Sequence, residues 1–457
     1  MICLTGAERD LPSLAARLEA SPDALHEVRL DALDSIDDDT FALLARHRVL
    51  ACLRSLPQGG ACRREPADRA SLLRRAATHA RFVDLEADHD DDLIAELGRE
   101  RVVLSWHDHT CEAPDLPARV ARMVERDPAV VKIARLVEDA ADLVELLALR
   151  PRIPQRAVLI GMGPAGLLSR THYRGFGSAW TYVAATRSLA TAPGQLDQAT
   201  AARYGLPDSA SAPLYGLVGG AQVMGSPGPW VYGGLFRALG LTASYVPIVT
   251  RSLTRVLPLL EALDARGLSV TMPLKQEAFR LCRPDPEAAP LGVVNSLRRQ
   301  DGHWLGRNTD VEGVRLPLEG QTGRALVLGS GGAARAAVEA CHRLGLAVTI
   351  AARRSEAAAA LGEAVPWAER ASVAADVLIN ATSLGGEDSP WPEAAPLPAV
   401  VFDLVLSQRP SRLLRDAEAA GSRALDARRM WLAQGAAQMG WFLDRPLTPR
   451  QLEALLP

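Results

Sequence analysis

The chain has 457 residues, with 51 lysines and arginines against 54 acids and a formal net charge of −3. That length exceeds what one hydrophobic core supports, and the scattered, nearly balanced charge leaves no footprint for nucleic acid or an anionic membrane. Two or three domains acting on small soluble molecules are therefore expected. No apolar run approaches the roughly 20 residues of a membrane span, and Met1-Ile-Cys-Leu4 opens directly into a strand-like run, so a cytoplasmic protein is expected. The six cysteines are dispersed without a CxxC pair, which suggests neither a metal site nor a disulfide framework; most should be small buried hydrophobes. A homodimer stays open.

In the first two hundred residues, β-branched runs recur at a spacing that predicts eight strands, namely 2–5, 27–31, 49–54, 82–86, 102–107, 130–134, 157–162 and 180–184. Helix-forming stretches such as 67–80 and 138–148 separate them, so the predicted fold is a parallel (β/α)8 barrel over residues 1–208. The small, proline-punctuated segment Gly205–Pro213 reads as an exposed linker. Beyond it, strands are expected at 214–219, 244–249 and 268–271, followed from Arg324 by a compact nucleotide-binding series at 325–329, 347–351, 377–380 and 400–405.

Barrels place chemistry at the C-terminal ends of their strands, where this sequence sets Glu27, Arg29, Arg54, Glu86, His107 and Lys132. Lys132, in Val130-Val-Lys-Ile-Ala134, has apolar neighbours that would desolvate its ammonium and lower its pKa, as an imine-forming nucleophile requires. His107 ends the preceding strand and suits proton transfer over the same mouth. In Glu27-Val-Arg-Leu-Asp31 the alternation turns three charges inward, to be met by a ligand or by an internal network with Asp84 and Glu86. Arg54 and Arg170 are candidates for anchoring a carboxylate or hydroxyls.

These pieces, with Ser105-Trp-His107, Ser169-Arg170 and Ala192-Pro-Gly-Gln195, resemble type I 3-dehydroquinate dehydratase in order and spacing across residues 1–205. The resemblance implies that Lys132 forms an imine with the substrate ketone, and that His107 removes the C2 proton and assists loss of the C1 hydroxyl. It also implies that Glu27, Arg29, Arg54, Arg170, Thr191 and Gln195 hold the substrate. Gln58 stands where the family has a glutamate beside the histidine, and Thr191 where its lid has a serine.

In the second half, Ala325-Leu-Val-Leu-Gly329-Ser330-Gly331-Gly332-Ala333 is a strand entering a glycine turn and then a helix, which lets a pyrophosphate reach the helix N-terminus. The next strand ends in Arg353-Arg354 where an NAD site carries an acid, so NADP is the expected cofactor. With Ser269-Val-Thr271-Met-Pro-Leu-Lys275, Gly292-Val-Val-Asn295, Asn308-Thr-Asp310 and Met430-Trp-Leu-Ala-Gln434, this half resembles shikimate dehydrogenase across residues 214–457.

That resemblance implies a two-lobed unit: a substrate lobe over 214–318 completed by 434–457, and a Rossmann NADP lobe over 319–433. Lys275 and Asp310 would handle the proton; Ser226, Thr271, Asn295 and Gln434 would join Asp310 in holding 3-dehydroshikimate or shikimate; residues 329–333, 353 and 354 would hold the cofactor. Departures from the family are Gly228, Ala352, Leu406 and Ala427, of which Gly228 and Leu406 remove hydroxyls from the expected pocket. The whole chain is thus expected to convert 3-dehydroquinate to shikimate. The alternative is a second half acting on a relative such as quinate, or sensing a metabolite without turnover.

Overall fold

The computed structural model describes residues 1–111, 115–393, 395–407 and 409–456. It forms two compact units, Met1–Ala265 with Thr271–Leu274, and Arg266–Val270 with Lys275–Pro457.

The first unit is built on eight parallel strands: β1 (Ile2–Gly6), β2 (Leu25–Arg29), β3 (Val49–Cys52), β4 (Phe82–Glu86), β5 (Val102–Asp108), β6 (Val130–Leu136), β7 (Arg156–Met162) and β8 (Thr181–Ala184). They pair in sequence order, with β1 between β2 and β8. The parallel bridge Ala157–Ser178, just ahead of β8, brings β7 back to it and closes the barrel; the Ala179 amide donates to Ala157 at 2.8 Å. Alternate residues Leu25, Leu50, Phe82, Val103, Val130 and Trp180 fill the interior. A two-residue strand, β9 (Leu196–Asp197), pairs with β8 at the end of the loop that carries Thr191 and Gln195.

All eight expected strands form, but two stop early. β2 ends at Arg29 and Asp31 sits in a 3-10 turn (Leu30–Ala32), while β3 ends at Cys52, short of Arg54. The Arg29 guanidinium folds onto Asp31 at 2.9 and 2.6 Å, and the same carboxylate accepts the backbone N–H groups of Arg54 and Ala61, each at 3.0 Å. Those side-chain bonds replace the strand ladder there. The segment expected to be an exposed linker is also different, since it turns through Asp208–Ser211 with Ser209 and Ala210 buried. Its small residues allow close packing.

After this turn the first unit continues with Leu214–Gly219 parallel to Ser244–Val249, and helices Gly228–Ala238 and Leu253–Ala262. Arg251 donates its backbone N–H to Asp139 at 2.9 Å, and Arg255 pairs with Asp142 at 2.8 Å.

In the second unit, Gly267–Ser269 pairs antiparallel with Ser296–Arg298, and Ser296–Gln300 forms a hairpin with His303–Arg307. That hairpin was absent from the expected elements. A separate parallel sheet has the order Ala364–Pro366, Ala347–Ala352, Arg324–Leu328, Val377–Asn380, Val400–Asp403, Arg423–Leu425, the doubly wound arrangement of a dinucleotide-binding fold. Apolar clusters cover both of its faces. At its first turn Gly329 has φ +111°, and a Cβ there would stand 2.8 Å from the Ala381 carbonyl oxygen. Gly329→Ala should therefore destabilise the second unit by about 1–3 kcal/mol; urea unfolding of the variant checks this, and an unchanged midpoint would refute it.

Candidate active sites

One cavity in the first unit is lined by Glu27, Arg29, Arg54, His107, Lys132, Arg170, Thr191 and Gln195, whereas Glu86, also expected at the barrel mouth, does not line it and pairs with Arg54 and Arg69 instead. Parallel pairing sets Ser105 opposite Lys132 and His107 opposite Ala134, so the imidazole lies one pleat nearer the mouth than the amine.

Lys132 is buried as its sequence neighbours suggest, but it is not the amine of lowered pKa that they imply. Its Nζ donates to Asp84 at 3.0 Å and to Glu27 at 3.4 Å, with the Tyr182 ring 4.4 Å away. Burial disfavours the ammonium, but Asp84, Tyr182 and Glu27 outweigh burial and raise its pKa above the ordinary lysine value. The expected lowering is thus reversed, because Val131 and Ile133 point to the opposite face of the strand while two carboxylates face the amine from β2 and β4. Asp84 is further held by Arg54 at 2.8 Å and by the Ser105 hydroxyl at 2.6 Å. The other oxygen of Glu27 accepts from Thr5 at 2.8 Å. Glu27, Cys52 and Asp84 approach one another as metal ligands would, but the Lys132 ammonium already supplies the positive charge between the two acids.

Arg54 also bonds Glu86 and Ser105, at 3.3 and 2.8 Å, so its charge is engaged inside the protein. Arg170 differs. It is buried, its one hydrogen bond runs to the Pro193 carbonyl at 3.3 Å, and its Nε has no partner among the described residues. Burial alone lowers its pKa to about 10. A bare guanidinium in a cavity is a place prepared for an anion.

His107 gives its backbone N–H to the Gln58 side-chain oxygen at 2.9 Å, and its Nδ1 meets the same atom at 3.1 Å. The shared acceptor requires the proton on Nδ1 and leaves Nε2 with its lone pair. Burial, then the charges of Arg54 and Lys132, depress the imidazole pKa well below its usual value. At neutral pH it is an uncharged base. Gln195 accepts from the Thr191 backbone at 2.6 Å and from its hydroxyl at 3.2 Å, tying the loop over the cavity.

The predicted residues of the second half fall in both units. In the first, Ser226 accepts the Gly228 N–H at 3.1 Å, and Thr271 packs its methyl on Gly219. A Cβ on Gly228 would lie 3.2 Å from the Ser226 hydroxyl and 3.4 Å from both Tyr232 and Tyr245, so a second serine there would crowd the first.

In the second unit Lys275 donates to Asp310 at 2.5 Å, and Asn295 donates to the other oxygen of Asp310 at 2.8 Å. Thr309 bonds both Asn295 and, at 3.4 Å, Gln434. Gln438, absent from the sequence expectations, fixes this group by donating to Ser296 at 2.6 Å and to the Asn295 carbonyl at 3.2 Å, while accepting from Ser269. Its only signal was one helical turn of spacing from Gln434.

At the cofactor turn, nothing lies within 4 Å of a Cβ built on Gly331 or Gly332, where the helix Gly332–Arg343 begins. Ser330 and Ala333 flank this opening, and Arg353 and Arg354 are exposed with no ion pair among the described residues. Open space at a helix N-terminus and two uncommitted guanidiniums fit a phosphate-rich dinucleotide. Leu406 is 59% exposed.

Comparison with known proteins gives a type I 3-dehydroquinase match over residues 2–204 and a shikimate dehydrogenase substrate binding domain match over 218–297. The chloroplastic bifunctional 3-dehydroquinate dehydratase/shikimate dehydrogenase of Arabidopsis thaliana is 29% identical, covering 94% of this chain and 79% of that one. The shikimate dehydrogenase (NADP(+)) of Anaeromyxobacter dehalogenans strain 2CP-1 is 39% identical over 51% of this chain and 91% of its own. Among solved structures, a chorismate mutase/shikimate 5-dehydrogenase fusion protein from Clostridium acetobutylicum shares the fold, with a TM-score of 0.50 and 23% identity over 54% of this chain and 96% of that one.

The imidazole geometry yields a titration. Gln58→Glu would place a carboxylate on the Nδ1 proton and favour the charged ring, so the His107 midpoint should rise by about one unit or more. Nuclear magnetic resonance titration of the imidazole reads this directly, and a midpoint that stays or falls would contradict the assigned contact.

Proposed function

The chain belongs to the type I 3-dehydroquinase and shikimate dehydrogenase families, joined in one polypeptide, and we propose that it dehydrates 3-dehydroquinate to 3-dehydroshikimate and reduces that product to shikimate with NADPH. The observation that carries the first step is the unpaired, buried Arg170 beside an amine and a neutral imidazole, since the substrate brings a carboxylate, a ketone and an acidic C–H together. Lys132 must release a proton before it attacks. Glu27 is the better acceptor, because Asp84 is held anionic by Arg54 and Ser105.

The amine then bonds to the ketone carbon, the ketone oxygen leaves as water, and the resulting iminium acidifies the neighbouring C2 proton. His107 takes that proton through Nε2 and returns it to the departing C1 hydroxyl, so the same ring serves as base and then acid. Hydrolysis of the conjugated imine frees Lys132. Arg170 would hold the carboxylate, with Arg29, Arg54, Thr191 and Gln195 on the remaining oxygens.

For the second step, bound NADPH supplies a hydride to the carbonyl carbon. Lys275 would donate the proton that the carbonyl oxygen needs, and Asp310 would hold the amine in place and share its proton. Asn295, Gln434, Ser226 and Thr271 would orient the substrate; the turn 329–333 would receive the pyrophosphate, and Arg353 and Arg354 the 2′-phosphate. All six cysteines are free, and no described helix is long and apolar enough to cross a membrane.

Purified protein given 3-dehydroquinate and NADPH should form enone absorbance and consume NADPH, and borohydride with product should add the product mass at Lys132. Lys132→Ala should abolish dehydration; modification of another lysine, or retained activity, would end the imine assignment. Replacing Arg353 and Arg354 with alanine should weaken NADPH binding roughly tenfold or more while sparing NADH, one charge-assisted contact being worth about 1.5–3 kcal/mol. Equal use of NADH by the unaltered protein would overturn the cofactor claim.

A further inference from the structure

Tyr182 on β8 is 4% exposed and belongs to the barrel interior, yet it also lines the cavity with Lys132, Glu27 and Arg170. Trp180 packs edge-on against its ring at 6.4 Å and fixes the plane, and the ring presents its face to the Lys132 nitrogen at 4.4 Å. The separation is within cation–π range. The phenol oxygen has no hydrogen-bond partner among the described residues. Buried tyrosine hydroxyls are ordinarily paired, so a bare one beside a reactive amine in a cavity marks a contact completed by a ligand.

Burial pushes the phenol pKa well above its ordinary value, against the opposing charge of Lys132, so the group stays a neutral donor. The acids nearby are unsuited to the same task. Once the ketone oxygen has left as water with the proton that Glu27 took from Lys132, Glu27 and Asp84 are both carboxylates, held by Lys132, Thr5, Arg54 and Ser105, and they accept hydrogen bonds. A hydroxyl on the ring carbon beside the substrate ketone would come close to Lys132 when the imine forms. Its oxygen needs a donor there.

We propose that Tyr182 is a substrate-contacting residue of the dehydratase site, donating its O–H to the hydroxyl oxygen beside the ketone while its ring face supports the cationic imine nitrogen. This rests on the dehydratase reading of the first site. A pocket built to bond a substrate hydroxyl discriminates against an analogue that lacks it, so Tyr182 also sets specificity at that carbon.

The test is Tyr182→Phe in the full-length protein, which keeps the ring and removes the donor. KM for 3-dehydroquinate should rise about tenfold, the equivalent of one lost hydrogen bond, with borohydride still trapping the imine at saturating substrate. Removing the hydroxyl from the substrate should cost the unaltered protein much more kcat/KM than it costs the variant. Unchanged KM and kcat in a variant with the same thermal midpoint would overturn the inference and leave the dehydratase reading intact. If the variant fails to fold, the unaltered protein decides: equal kcat/KM for substrates with and without that hydroxyl overturns the inference. Failure of the unaltered protein to dehydrate overturns both.

Discussion

The ammonium of Lys132 is held inside a barrel by two carboxylates, and the arrangement around the first site follows from making that burial tolerable. An isolated charge in such an interior would be prohibitive, so Asp84 and Glu27 face the amine from β4 and β2. Asp84 in turn requires Arg54, and Arg54 requires Glu86 and Ser105. The chain of pairings continues to the outer wall, where Arg69 joins Glu86 to Asp90 at 3.4 and 2.6 Å. The links tie together side chains from β2, β4, β5 and β6, the segment after β3 and the helix Pro66–His79. The site is therefore as rigid as the barrel, and Arg170, outside this chain of pairs, keeps its charge for an incoming group.

Strand positions were legible because alternation and β-branching are local properties, and every expected barrel strand appears. The pairing partners were not. On β6 the residues beside Lys132 in sequence point away from it, so the apolar run that suggested a depressed pKa describes the other face of the strand. What determines the charge state comes from Glu27 and Asp84, which lie 105 and 48 residues away. The hairpin 296–307 was lost for another reason, its strands being rich in Arg, Gln and His. Its turn residues, Asp301 and Gly302 with φ of 50° and 76°, carried the Asp-Gly signal of a tight hairpin. Gln438 was hidden because its bond to Ser296 spans 142 residues.

The two lysines differ in burial in the way that the roles proposed for them would require. The Lys132 side chain is 5% exposed and wedged between acids, whereas that of Lys275 is 21% exposed and meets a single carboxylate. An amine that must form a covalent bond benefits from a fixed position and from an internal proton acceptor. One that delivers a proton in every turnover must be recharged, which favours access to water. The amides of Asn295 and Gln438 orient Asp310 and its surroundings without adding charge, so the second pair keeps one acid and one base facing each other.

Gln58 fits the same logic. The amide oxygen fixes the His107 tautomer as a carboxylate would, but it adds no negative charge beside an imidazole already surrounded by Arg54, Lys132 and Arg29. Those cations make a protonated ring expensive, so His107 remains a base at neutral pH. In the proposed dehydration the same feature would make the imidazolium a strong acid once it had taken the C2 proton, which would favour rapid return of that proton to the departing hydroxyl. Proton removal is correspondingly harder. On the proposed reaction the balance would come from the substrate side, through a cationic imine at Lys132, whose pull on the C2 proton would be strongest in a cavity where Arg170 neutralised the carboxylate.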